Sequence, residues 1–159
     1  MKQLRSARLT RKRGTATIEF ALVLPVLCML FLGVLELGMM VVTRCRLDEI
    51  ARAAVRAAAA GESYDRIMQR VQVLANGLDM DRLQVTVEYR QYLGMGEWDD
   101  VWTPMQSQGE SNTISLNSQI RVTAVYEYHA LVPGLVSFML DDPEQGTKTI
   151  ASQAAMHRT

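Results

Sequence analysis

From Phe20 to Val42 the sequence reads FALVLPVLCMLFLGVLELGMMVV, 23 residues with one charged member, Glu36. No other stretch limits the fold as strongly. At about 1.5 Å per residue a helix of this length covers roughly 34 Å, enough for a bilayer core of about 30 Å. The apolar region of a secretory signal peptide is only about 7–15 residues. The small residues that could suit a signal peptidase, Ala57–Ala60, lie past Arg44, Arg46, Arg52 and Arg56. The run is therefore expected to be a spanning helix, against the competing reading of a buried helix in a soluble protein. Pro25 removes one hydrogen bond near its start, a defect tolerated in membrane helices. Gly33 and Gly38 thin the helix where neighbours could approach.

The charges divide around this run. The chain has 17 Lys+Arg and 17 Asp+Glu in 159 residues. Residues 1–14 hold six bases and no acid, so residues 15–159 hold 11 bases and 17 acids, a formal −6. Such a split argues for one modest domain with an appendage. A basic stretch beside an apolar segment marks orientation more often than phosphate contacts. It places the N-terminus in the cytoplasm, exports residues 44–159, and excludes nucleic acid as a partner.

Two acids stand in or beside the apolar run. A charge in hydrocarbon costs a few kcal/mol, so each needs a partner, water or protonation. Glu36 reads as a residue reaching the far headgroups toward Arg44, or as an intramembrane helix contact. Glu19 has a more telling context. It sits in Arg13-Gly14-Thr15-Ala16-Thr17-Ile18-Glu19-Phe20-Ala21-Leu22-Val23-Leu24-Pro25.

That stretch resembles a type IV prepilin, and closely resembles the TadE-like minor pilins (pseudopilins) of tight-adherence, or Flp-type, pilus systems. The resemblance implies a basic leader, residues 1–14, cut after Gly14 by a prepilin peptidase on the cytoplasmic side. Thr15 becomes the first mature residue and Glu19 the fifth. The Glu19-Phe20 pair, with the Ala-Leu-Val-Leu-Pro run after it, matches the TadE-like form. Thr15 departs from the Phe usual at that position in type IVa pilins. Physical chemistry offers an independent reason for the motif. Cleavage exposes an α-amino group at the head of a membrane helix. A Glu five residues in can pair with that group on a neighbouring subunit, strongly in low dielectric, and set the axial register. Glycine next to the cut leaves an open backbone for the protease.

Beyond the span, Thr43–Ala60 carries Leu47, Ile50, Ala51, Ala54 and Ala58 at helical spacing, and Gly61 is a natural stop. The membrane helix is expected to continue outward, its Ala stripe packing on the chain's own sheet or on another subunit. Ser63–Asn76 reads as a second helix ended by Gly77. Period-two alternation follows in Leu83–Arg90 and again in 114–128, where Ile114, Leu116, Ile120, Val122, Ala124, Tyr126 and Tyr128 share one face. Trp98–Trp102 reads as a short strand paired with the first, across a turn at Gly94 and Gly96. Thr147–His157 reads as the last strand, with Ile150, Ala154 and Met156 inward. Pro104–Thr113 and Leu140–Gly146 read as loops.

The expected fold is α+β: a long N-terminal transmembrane and amphipathic helix, a short second helix and a small antiparallel sheet of about four strands. Its divisions are a leader at 1–14, a transmembrane helix at 15–43, an exported helical segment at 44–77 and a sheet domain at 78–159. The resemblance implies a pilin-like fold.

Catalytic constellations are absent from the sequence. Cys28 and Cys45 are 17 helical steps apart, roughly 25 Å, too far to pair with each other. Cys28 reads as buried packing, and Cys45 as a candidate for an intersubunit disulfide. His129 and His157 read as surface or edge residues. Asp99-Asp100 and Asp141-Asp142-x-Glu144 read as solvated turns. Calcium at Asp141, Asp142 and Glu144 is the alternative, since some pseudopilins hold calcium in such loops. No phosphate loop and no nucleophile turn is found.

The expected protein is thus no enzyme and has no cofactor. It is a processed minor pilin, held in the bacterial inner membrane until it takes part in pilus assembly. By resemblance its partners are the prepilin peptidase, other pseudopilins, the major Flp pilin, and the inner-membrane assembly platform with its ATPase. The rival reading is a single-pass, membrane-anchored periplasmic binding or sensing domain without prepilin processing.

Overall fold

A computed structural model of the chain describes residues 6–106 and 114–159, with side chains in the first helix from residue 16 onward. Lys2 and Arg5 of the leader, and most of the loop expected at 104–113, lie outside the described residues.

The first helix, α1, runs from Ser6 to Ala59, 54 residues without interruption. The expected boundary between spanning and exported parts, at residue 43, falls inside this one rod. Its two halves have opposite surroundings. Between Ile18 and Val42 its large apolar side chains stand exposed, apart from the half-buried Met39 and Met40, and none of its most apolar window is buried by the rest of the chain. The core helix of a soluble protein would be covered there. By length and composition α1 is the one helix among the described residues able to cross a membrane, and it fits a single-pass anchor.

The outer half of α1 is packed. Leu47, Ile50, Ala51, Ala54 and Ala58 are fully or nearly fully buried, against strands of the chain's own sheet. Alanine on this stripe brings the helix close to the sheet, and burial of the larger Leu47 and Ile50 contributes about 1.5–3 kcal/mol each. The helix stops at Gly61, whose φ is +88°. Helix α2, Tyr64–Leu74, folds back on α1 and adds Ile67 and Val71 to the same core. Arg46 on α1 donates from Nη1 to the Asn76 carbonyl (3.3 Å), just past the end of α2, where a cation suits the exposed carbonyls.

The sheet is antiparallel, with β1 (Leu83–Gly94), β2 (Glu97–Trp98), β3 (Thr103–Pro104), β4 (Ser118–His129) and β5 (Thr147–Arg158). The order is β2-β1-β4-β5, and β3 pairs with β1 farther along the edge that β2 uses. The single strand expected at 98–102 is therefore two short ones. β4 lies at the centre and alternates strictly. Ser118, Ile120, Val122, Ala124, Tyr126 and Tyr128 face the core, and the residues between them face outward. Leu116, expected on that buried face, is exposed. It precedes the strand, and Asn117 turns the chain with a left-handed φ of +61° before pairing begins. On β5, Ile150 and Ser152 are buried and Ala154 is partly covered, whereas Met156 near the strand's end is exposed. A side-chain hydrogen bond from Ser152 to Asp48 joins β5 to α1.

After β4 the chain leaves the sheet through Ala130 and forms a one-turn helix, α3 (Pro133–Val136), followed by a 3-10 turn at Ser137–Met139. This excursion lies on α1, with Leu135 Cδ2 3.6 Å from where a β-carbon on Gly33 would stand.

Candidate functional site

The site residues inferred from the sequence fall in three places. The first is the amino end of α1. Gly14 and Thr15 lie in its helical backbone, and their side-chain surroundings lie outside the described residues. A protease that reads an extended segment must unwind the helix there. Glycine lowers that barrier by about 1 kcal/mol relative to alanine. Glu19 and Phe20 follow within the same helix, both exposed. Their side chains are open to whatever packs beside the helix.

The second place is Glu36. It is 1% exposed, although it sits on the otherwise bare half of α1. It does not reach toward Arg44. The Tyr128 hydroxyl, at the end of β4, donates to Oε1 at 2.8 Å. The Leu131 amide donates to Oε1 at 3.1 Å and to Oε2 at 3.2 Å. The acid is thus held by the chain's own sheet end and the first residues of the excursion after it. Burial, then the hydrogen bond to Glu36, pushes the Tyr128 phenol well above its ordinary value, so it remains a donor. A carboxylate placed near hydrocarbon needs such partners, and the fold supplies them from within.

The third place is the loop after the 3-10 turn. Asp141, Asp142 and Glu144 do not converge on a shared point, and no group of three or more metal-ligating residues occurs among the described residues. Asp141 accepts from Lys148 Nζ (2.7 Å) and the Thr149 amide (2.8 Å), which hold its carboxyl below the usual carboxylate range. Asp142 Oδ1 accepts from the amides of Glu144 and Gln145 at 3.0 and 3.1 Å, a local turn. These acids shape the turn into β5. Cys28 and Cys45 are both exposed on α1, so Cys28 is not packed inside the chain.

One cluster has no counterpart in the sequence reading. On the outer face of the sheet Trp102 lies under two guanidinium groups, Arg121 at 4.0 Å and Arg90 at 4.9 Å from its ring centre. Arg121 is also bonded to Glu88 at 2.6 Å, and the Trp98 ring meets the His157 ring at a tilt, 5.0 Å between centroids. These residues come from different strands, and in the case of Trp102 from the link between β2 and β3, and meet only through the pairing register. The signal was the outward parity of Glu88, Arg90 and Arg121. The cluster covers the sheet's outer face and offers no reactive pairing.

Residues 14–56 match the model of the family described as TadE-like protein. The match begins at Gly14 and ends at Arg56 on the sheet-packed half of α1, so it spans Glu19, Glu36 and most of the Ala stripe. It is consistent with a TadE-like protein of tight-adherence pilus systems. No curated protein and no solved structure matches the chain.

Proposed function

We propose that this TadE-like chain is a minor pilin or pseudopilin of a tight-adherence system, cut after Gly14 and then assembled into, or with, a Flp-type pilus. One observation carries the reading. The family match opens at Gly14, and Glu19 follows as the fifth residue after it, on a helix whose apolar surface the chain itself leaves largely uncovered. A helix whose large apolar side chains stand mostly exposed from Ile18 to Val42 suits lipid first and neighbouring helices later. In this reading the N-terminus is cytoplasmic and the sheet lies on the opposite side of the inner membrane. Glu19 pairs with the new α-amino group of an adjacent subunit. The protein itself catalyses nothing. Its partners are the prepilin peptidase, other pseudopilins, the major pilin, and the assembly platform with its ATPase.

The test is the intact mass and N-terminal sequence of the protein, made with and without the cognate peptidase. The expected mature chain begins at Thr15 and has 145 residues, having lost the 14-residue leader and its six positive charges. An unprocessed N-terminus in the presence of an active peptidase overturns the reading and favours a permanently anchored domain. Glu19→Ala is expected to leave cleavage intact and to reduce pilus formation. Normal pili from that variant remove the role assigned to Glu19.

A further inference from the structure

The segment from Ala130 to Leu140 reads Ala-Leu-Val-Pro-Gly-Leu-Val-Ser-Phe-Met-Leu, 11 residues without a charge. It is too short to cross a bilayer. Yet it folds only some of its apolar groups inward. Val136 and Leu140 are buried, while Leu131 and Phe138 are 72% and 83% exposed. In water an exposed apolar patch of this kind is a liability unless something covers it.

Its position says what covers it. The segment lies along the bare half of α1, and a shallow apolar groove between the two is lined by Met29, Leu30, Gly33, Leu135, Phe138 and Met139. Its exposed side chains therefore continue the apolar surface of the spanning helix. Part of the backbone is prepared for the same surroundings. Hydrocarbon offers no partner to a free amide, and four of the segment's amides are satisfied by the protein. The Ala130 amide donates to the Gly146 carbonyl (2.9 Å), Leu131 to Glu36, Leu135 to Val132 (3.0 Å) and Leu140 to Ser137 (3.3 Å). Pro133 has no amide to satisfy. Glu36, through Leu131, fixes the height of the segment along α1.

We infer that Ala130–Leu140 is a second membrane-embedded element, a wedge that enters the leaflet on the sheet's side of the bilayer and sets Leu131 and Phe138 among lipid acyl chains. This rests on the reading of α1 as a membrane span. Counted from Val42, the end of the apolar run, Glu36 lies about 9 Å and Leu30 about 18 Å down the helix, so a wedge seated between them reaches the acyl chains rather than the headgroups alone.

The experiment uses the full chain in phosphatidylcholine–phosphatidylglycerol nanodiscs, with Cys28→Ala and Cys45→Ser as background. A single cysteine carrying an NBD fluorophore is placed in turn by Phe138→Cys, Leu131→Cys, Leu30→Cys and Met95→Cys. Lipids bearing doxyl groups on the acyl chain are the quencher. Met95 is fully exposed in the β1–β2 turn, at the end of the sheet away from the wedge. Quenching at Phe138 and Leu131 that matches Leu30, with none at Met95, is the expected result. Quenching at Leu30 alone overturns the wedge and leaves the anchor standing. Blue-shifted emission at Phe138 without quenching means protein rather than lipid covers it, and overturns the wedge as well. No quenching at Leu30 overturns the span, and the wedge with it.

Discussion

Removing the Tyr128 hydroxyl, by Tyr128→Phe, tests whether Glu36 holds the sheet to the helix. The hydroxyl is a donor to a buried carboxylate at 2.8 Å, and the substitution leaves ring packing in place. A hydrogen bond to a charged group contributes about 1.5–3 kcal/mol net, so a loss of that size is expected. Glu36→Gln is milder. Its carbonyl oxygen can still accept from Tyr128, but its amide now faces the Leu131 amide, which donates to Oε2 at 3.2 Å in the native chain. About 1 kcal/mol is expected for that partial mismatch. Glu36→Ala leaves both donors stranded, at about 1–3 kcal/mol each.

The two sites share one bond, so the double variant Glu36→Ala/Tyr128→Phe is expected to cost less than the sum, by about 0.5–3 kcal/mol. Chemical unfolding of the full chain in detergent micelles, followed through Trp98 and Trp102 on the sheet, measures each member of the cycle. Hydrogen exchange of the 130–140 peptide gives a local check, with faster exchange in every variant. Single-variant losses that add to within about 0.5 kcal/mol would show that the two groups do not act together. Tyr128→Phe at wild-type stability would refute the reasoning outright.

Three further outcomes follow from other parts of the fold. Ala58→Leu forces a larger side chain between α1 and the sheet, where Ala58 is fully buried, and should cost about 1–3 kcal/mol. Ala60→Leu, at the exposed end of the same stretch, should be near neutral in the same unfolding measurement. Gly146 has a φ of +71°, and a β-carbon there would stand 2.7 Å from Pro133 Cγ. Gly146→Ala is expected to lose at least about 1–2 kcal/mol from backbone strain alone, and to loosen the wedge in hydrogen exchange. Asp141 has its carboxyl held low by Lys148 and the Thr149 amide. Its stabilising contribution is present in full above the ordinary carboxylate value and is lost as pH falls through the lower, folded value. A carboxyl titration followed by NMR should give a midpoint below 3.8, the ordinary value. Asp141→Asn should flatten the acid limb of stability, and a midpoint at or above the ordinary value would contradict the contacts.

Local patterns made much of the architecture legible. Apolar length gave α1 its bare half, the spacing of Leu47, Ala51, Ala54 and Ala58 its packed half, and strict alternation the inner face of β4. Gly61, at positive φ, ended α1 where the sequence placed the stop, whereas α2 ended at Leu74, short of the Asn76–Gly77 end expected for it. What stayed hidden depends on pairing across the chain. Glu36 finds Tyr128 and Leu131 some 92 and 95 residues away, and nothing near Glu36 in sequence points to either. Arg44 was the nearest cation in sequence and the wrong partner. Trp102 meets Arg90 and Arg121 only because β1 and β4 pair in one register out of several. The wedge escaped because its 11 apolar residues fall short of any spanning length. Only its seat beside Gly33 gives it meaning.

The unbroken course of α1 makes the sheet and the amino end parts of one lever. The sheet grips the rod from Glu36 outward, and Glu19 lies 17 residues nearer the amino end, roughly 26 Å down the axis. A tilt of about 11° at the grip therefore swings Glu19 sideways by about 5 Å, close to the pitch of one helical turn. Pro25 is the joint in this arm, because the proline ring leaves the turn beneath it one hydrogen bond short. Torque applied to the sheet is transmitted stiffly as far as Pro25 and more loosely below it. Whatever seizes the sheet can thus steer the acid at the other end, with the last turns free to settle against a neighbour.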